Sequence, residues 1–359
     1  MKKLLLIGFV LVAFAECRSK KAIKVDETKF YEGERVITDA QFAPLTLPYQ
    51  VIEFSKVSDT MDIENLNFIG NDIIIMDSDN RVFVTDSAQK NISFPGKGLK
   101  MVSGLSILVK NDNQFLVQDL TRNELYEFVR QPASRNWSVS KAEVLPDALT
   151  GIVSMAQMPD STLIATSVNH IEGKVIHFTP DTPHKVLGYI GTIPFNKDIS
   201  QFVLAMAYRS TCIYDKSANK IYVAHFYTDL LESYNPDGTL SFRVHGPGNF
   251  KSVYRIAKQM GYQVFANTNE SRKAFLDIAC DDKYIYALYA GHPMDNVVRK
   301  KTLLIYKKNG DPYKKLVVEE NIHQIELDER NKRLYGFKRG VKAFGLKKAE
   351  VVWYDVSNI

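Results

Sequence analysis

One phrase recurs along this chain: a short β-rich run, a polar turn carrying Asp or Asn, and a second run alternating β-branched or aromatic residues with others. It reads LNFIGNDIIIMDS (66–78), LSILVKNDNQFLVQD (105–119), VSMAQMPDSTLIATS (153–167), TCIYDKSANKIYVAH (211–225), LDIACDDKYIYALYAG (276–291) and HQIELDERNKRLYGFK (323–338). Each is a hairpin signal. A second hairpin follows five of the six, as in LESYNPDGTLSFRV (231–244) and LLIYKKNGDPYKKLVV (303–318). A four-stranded meander of this kind cannot bury both of its faces alone, so successive units must stack on one another. Four strands per unit, at spacings of roughly 40–65 residues, describe the blades of a β-propeller.

The sixth unit ends in EVVWYDVSNI (350–359), which supplies a third strand and no fourth. The segment YQVIEFSKV (49–57) precedes the first unit and has no other partner. Pairing it into the last blade closes the ring and removes an open edge. The expected fold is therefore all-β, a six-bladed β-propeller over 49–359, its ring closed by an N-terminal strand in the last blade. A signal peptide (1–16) and a tether and lead-in (17–48) come before it. A seven-bladed ring and a β-sandwich are the competing architectures. Helical periodicity is confined to short pieces, chiefly FKSVYRIAKQMGYQ (250–263).

The first residues, MKKLLLIGFVLVAFAEC, stand apart from the fold. Lys2 and Lys3 precede an apolar run, Leu4 to Ala15, that is too short to cross a ~30 Å hydrocarbon core as a helix but suits a secretory signal. Cys17 directly after that run, followed by polar RSKK, looks like a bacterial lipoprotein signal in which Cys17 carries the lipid. Glu16 departs from that pattern, since a small residue usually stands there. Simple secretion and a retained anchor are the alternatives. The expected address is the bacterial cell envelope, lipid-anchored and facing the periplasm.

Lys2, Lys3 and Glu16 leave with the signal, which lowers the formal charge of +5 by one. That mild excess over so long a chain gives no reason to expect nucleic-acid binding. Cys212 and Cys280 are the two cysteines of the body, read as small buried strand residues rather than a disulfide. A closed ring needs no partner to be stable, so a monomeric propeller is expected.

Together with the lipoprotein-type start, YIYALYAG (284–291) and YKKNGDPYKKLVVEENIHQIELDERNKRLYGF (306–337) give a chain that resembles the TolB-like six-bladed propeller lipoproteins. The resemblance spans most of the mature chain. It implies the fold and, because members of that family are mostly without an assigned activity, no reaction.

In a propeller, the loops joining second to third strands and those joining one blade to the next share the face around the channel mouth. On that map GHPMDNVVRKK (291–301), KRGVKAFGLKKAE (338–350) and the long connection 245–275 bring basic residues together. The candidate ligand residues are Arg255, Tyr289, His292, Arg299, Lys300, Lys301 and Arg339, with Lys258, Arg272 and Lys273 nearby. Cations beside aromatic rings suit a protein, a peptide or an anionic glycan. The expected function is an envelope-anchored binding or scaffolding propeller, and no cofactor is expected.

The alternative is a propeller enzyme of lactonase-like, hydrolase or lyase type with a channel-bound divalent metal. Asp77, Asp119, His170, His225 and His292, all on mouth loops, would then supply ligands or acid–base groups. No His-Glu-x-x-His run, Gly-x-Ser-x-Gly elbow or phosphate-cradling glycine loop occurs in the sequence.

Overall fold

The computed structural model describes residues 25–53, 63–77, 79–86, 92–95, 101–102, 104–132, 136–294, 301–318, 322–338 and 350–359. The signal-like segment, Cys17, Arg299, Lys300 and Arg339 lie outside these. Six four-stranded antiparallel meanders follow one another over 63–93, 104–144, 152–190, 210–245, 272–318 and 322–355. Tyr49–Glu53 completes the sixth by pairing antiparallel to Glu350–Asp355, with Val51 opposite Val352. The ring is thus closed by the N-terminal strand.

Alternation explains the stacking. The second strand of the first blade, Asp72–Asp77, is apolar at consecutive positions because both its faces are covered. Ile73 and Ile75 pack with Tyr335, Phe337 and Val351 of the sixth blade. Ile74 and Met76 pack with Phe115 and Val117 of the second. The same division recurs at every joint: Leu116 with Leu163, Ile164 with Ile221, Tyr222 with Phe275, and Leu303 with Ile325. Six cores therefore run around the ring, one between each pair of blades. Cys212 sits in the joint of the third and fourth blades and Cys280 beside that of the fourth and fifth. Both are free thiols, pushed up to about 12 by burial.

The lead-in is part of this packing. Arg35–Val36 adds a parallel fifth strand outside Leu240–His245 of the fourth blade, and Ala43–Leu45 does the same outside Pro312–Val318 of the fifth. The chain then enters the sixth blade at Tyr49. It steps along the rim, covering two outer edges that would otherwise be open for pairing. Ile37 and Phe42 are buried on the way in the joint between the fourth and fifth blades.

Two connections are elaborated into a cap on the mouth face. The link from the third blade to the fourth carries the helix Gln201–Ala207, whose first turn is capped by Ser200 Oγ accepting from the Val203 amide at 3.4 Å. The link from the fourth blade to the fifth carries a hairpin, Arg255–Gln259 with Tyr262–Ala266. This corrects the helical expectation for 250–263. Apolar residues at Val253, Ile256 and Met260 imitate helical spacing, but Met260 and Gly261 both take positive φ and turn the chain back on itself. Phe30 and Tyr31, on a helical turn at Thr28–Tyr31, plug into the cap with Val203, Leu204, Ala207, Tyr208 and Leu230.

Candidate functional site

The third strand of the fourth blade, Leu230–Tyr234, is buried at every position, yet its centre is Glu232. The Glu232 carboxylate accepts Lys174 Nζ on both oxygens, at 2.7 and 2.6 Å. It also accepts Arg243 Nε at 2.6 Å, His225 Nε2 at 2.9 Å and the Tyr234 hydroxyl at 3.1 Å. Burial alone would raise this carboxyl. The Lys174 ammonium, His225 and Arg243 outweigh it and hold Glu232 well below the ordinary range. Burial likewise pushes Lys174 down to about 8 and lowers His225, so His225 is neutral and donates through Nε2. The Phe30 ring roofs the cluster, its centroid 3.9 Å from Lys174 Nζ. The arrangement ties the third and fourth blades, the cap and the N-terminal turn into one rigid floor.

Beside it, Asp229 secures the start of the long connection. Its Oδ2 accepts the Tyr289 hydroxyl at 3.0 Å and the Asn249 amide at 2.8 Å. A Cβ on Gly246 would lie 2.1 Å from Asp229 Oδ1, and one on Gly248 would lie 2.3 Å from the Tyr289 hydroxyl. The Gly-Pro-Gly of 246–248 is thus the shape demanded by a close approach to a buried acid. Burial pushes Asp229 up to about 7.

The residues singled out from sequence fall into separate places. Asp77 is buried and accepts the Asp79 and Arg81 amides and Arg81 Nε. Asp119 does the same for Val102, Thr121 and Arg122 amides. Both are turn staples on the first and second blades. His170 meets Thr150 Oγ1 at 3.3 Å and Glu172 at 3.6 Å, and His225 belongs to the Glu232 cluster. Among the described residues no group of three His, Cys, Asp or Glu side chains is placed to hold a metal ion. Tyr289 is engaged by Asp229, and Arg255 is exposed on the cap hairpin.

His292 and Lys301 share one end of the fifth blade with Lys273. On the fifth blade Lys273 stands opposite His292 across the first and second strands, and Lys301 opens the third. All three are at the channel-mouth end. His292 and Lys301 are buried. Burial, and then the charge of Lys273, pushes Lys301 down to about 8.

Sequence reasoning did not single out Asp277 and Glu326, on the innermost strands of the fifth and sixth blades. Asp277 Oδ2 accepts the Ile325 amide of the next blade at 3.0 Å, yet burial pushes its carboxyl up to about 7. Glu326 is raised well above the carboxylate range by burial and then by the charges of Asp277 and Glu329. The available signal was an acid inside an apolar innermost strand, LDIA and IELD. An acid whose folded pKa lies above its unfolded value keeps its proton longer when folded, so its contribution falls as pH rises from about 4 through 7. The variant Asp277→Asn removes that loss while keeping an acceptor for Ile325. Its stability relative to the parent is expected to rise by about 2–3 kcal/mol between pH 5 and pH 8. Urea unfolding at both pH values measures this, and a pH-independent difference would contradict it.

The model of the TolB-like 6-blade propeller-like family matches residues 29–330. No curated protein sequence matches the chain. Among solved structures, a protein described as exported from Bacteroides fragilis is similar over 90% of this chain and all of its own, at 10% identity and a TM-score of 0.55. A member of the DUF4221 family from Bacteroides vulgatus covers 87% of this chain and 96% of its own, with 10% identity and a TM-score of 0.52. A luciferin-regenerating enzyme matches to the same extent at 10% identity, with a TM-score of 0.51. At such identities the likeness is one of fold.

Proposed function

Because the chain belongs to the TolB-like six-blade propeller family, we propose that it is a binding propeller of the bacterial cell envelope, lipid-anchored through Cys17. On this reading it takes an acidic peptide or glycan at the channel-mouth end of its fifth blade. The lipoprotein-like start supports the address, and so does an exported protein of the same fold. What supports the ligand class is the basic character of the mouth segments 291–301, 338–350 and 245–275, beside aromatic residues such as Tyr289. Arg299, Lys300 and Arg339 belong in sequence to the same mouth loops and extend the attraction to longer anionic chains.

Lys301→Met separates binding from folding. Calorimetric titration with oligo-glutamate and with oligogalacturonate, against neutral glucan fragments, is expected to show binding of an acidic probe by the parent alone. Loss of a charge-assisted contact weakens that binding about tenfold or more. The melting temperature of each protein, measured alongside, shows whether the variant is still folded. No affinity for either acidic probe in the parent, or equal affinity in the variant, would sink the proposal.

A further inference from the structure

The cap carries an apolar ridge that the ring does not use. At the hairpin tip Met260 is 80% exposed and Tyr262 76%, and on the adjoining link Phe195 is 62% and Phe202 42% exposed. Gln263, next to Tyr262, accepts the Ser200 amide at 2.7 Å and donates to the Asp198 carbonyl at 2.9 Å. Those two residues lie in the link that carries Phe195 and Phe202, so the hairpin and that link are tied together. The tip turn has positive φ at both centres, +49° at Met260 and +86° at Gly261. Such turns favour Asn-Gly, and a methionine there sits against its backbone preference. A large, exposed apolar side chain at a disfavoured position is not explained by folding.

We infer that this ridge enters the headgroup region of an anionic lipid leaflet, forming a membrane contact additional to the lipid anchor. The inference rests on the envelope address proposed above, but not on the anion site. Three observations favour a leaflet. Val25, the first described residue, packs into the cap cluster that also holds Ile199, Tyr254, Ile256 and Phe265. The described chain therefore begins against the cap. Residues 18–24 alone separate Val25 from Cys17, a reach of at most roughly 30 Å, which holds the cap close to any leaflet that contains the Cys17 lipid. Lys197 on the link and Arg255 and Lys258 on the hairpin are exposed, and Arg18, Lys20, Lys21 and Lys24 lie along the connecting sequence. Basic groups around Met, Tyr and Phe match the interfacial composition of a surface-lying membrane contact.

The test is flotation of the unlipidated chain from Arg18 to Ile359, which contains every described residue, with vesicles of phosphatidylethanolamine and phosphatidylglycerol. The parent is expected to float at low salt and less at high salt. Met260→Asn and Tyr262→Ser are each expected to reduce the bound fraction roughly tenfold or more. Met260→Asn installs the preferred turn residue, so its melting temperature holds or rises and misfolding cannot account for the loss. Absence of flotation by the parent, or flotation indifferent to both substitutions, overturns the inference. So does a result in which the substitutions abolish self-association or retention of a protein partner while vesicle binding is unchanged. Lys301→Met is expected to float as the parent does, and Met260→Asn to bind acidic probes as the parent does, which separates failure here from failure of the anion site.

Discussion

Replacing Glu232 by Gln is expected to lower the unfolding free energy by about 3–5 kcal/mol, because removing one member of a buried charge cluster strands the others. Lys174 and Arg243 both lean on this carboxylate, and His225 donates to it, with no water-exposed side for either Glu232 or Lys174. Glutamine keeps the volume and one acceptor oxygen, but its amide group points donors at donors. The loss should reach beyond the fourth blade, since Phe30 is seated on Lys174 and Arg243 donates to the Glu32 carbonyl of the N-terminal segment. Hydrogen exchange is therefore expected to quicken in residues 25–32 and in the cap helix together. The double variant Lys174→Met, Glu232→Gln should recover part of the stability, as a buried pair is costlier to break than to replace. A single variant as stable as the parent at pH 7 would show that the cluster is decorative.

Truncation of the N-terminal segment is expected to have the other large effect, in two separable steps. A chain beginning at Tyr49 keeps the closing strand and loses Phe30, Tyr31, Ile37 and Phe42, all buried. At about 1.5–3 kcal/mol for each large apolar side chain, this is a gross loss on the order of 6–12 kcal/mol, an upper bound given residual burial in the unfolded chain. A chain beginning after Glu53 also leaves the edge of Glu350–Asp355 unpaired. An open edge in a ring that can no longer close recruits other chains. Light scattering after size exclusion is expected to find the first truncation destabilised, with only the two short edges of the lead-in strands uncovered, and the second self-associated to a clearly greater extent. A monomeric second truncation with the same unfolding midpoint as the first would mean that the closing strand does not hold the ring.

The architecture was legible because it is written locally and repeatedly. LIATS and IYVAH are continuous apolar strands bounded by Asp- and Asn-containing turns, and a strand covered on both faces has no other way to look. Closure was legible by subtraction: a sixth unit one strand short, and YQVIE without a partner. The cap hairpin was misread as helix because three apolar positions imitate the helical period, and the Met-Gly turn between them is not a usual signal. The lead-in, read as a tether, showed no repeat phrase. Its two short strands, of two and three residues, carry too little pattern to see.

The candidate sites divide in the same way. A basic mouth at the fifth and sixth blades follows from loop order alone, since propeller topology fixes which loops share a face. Which of its members meet does not. Lys273, His292 and Lys301 share one end of the fifth blade, which follows from the strand pairing and its register shift between Lys273 and Phe275. Glu232 and Lys174, 58 positions apart, find each other only through the stacking of the third and fourth blades. The sequence by itself determined the ring, the number of its blades and the strand that closes it, because those rest on side-chain alternation and turn chemistry within a few residues. The tertiary structure alone decided the charge cluster, the cap and its ridge, because each depends on long-range packing that removes specific groups from water and leaves others in it.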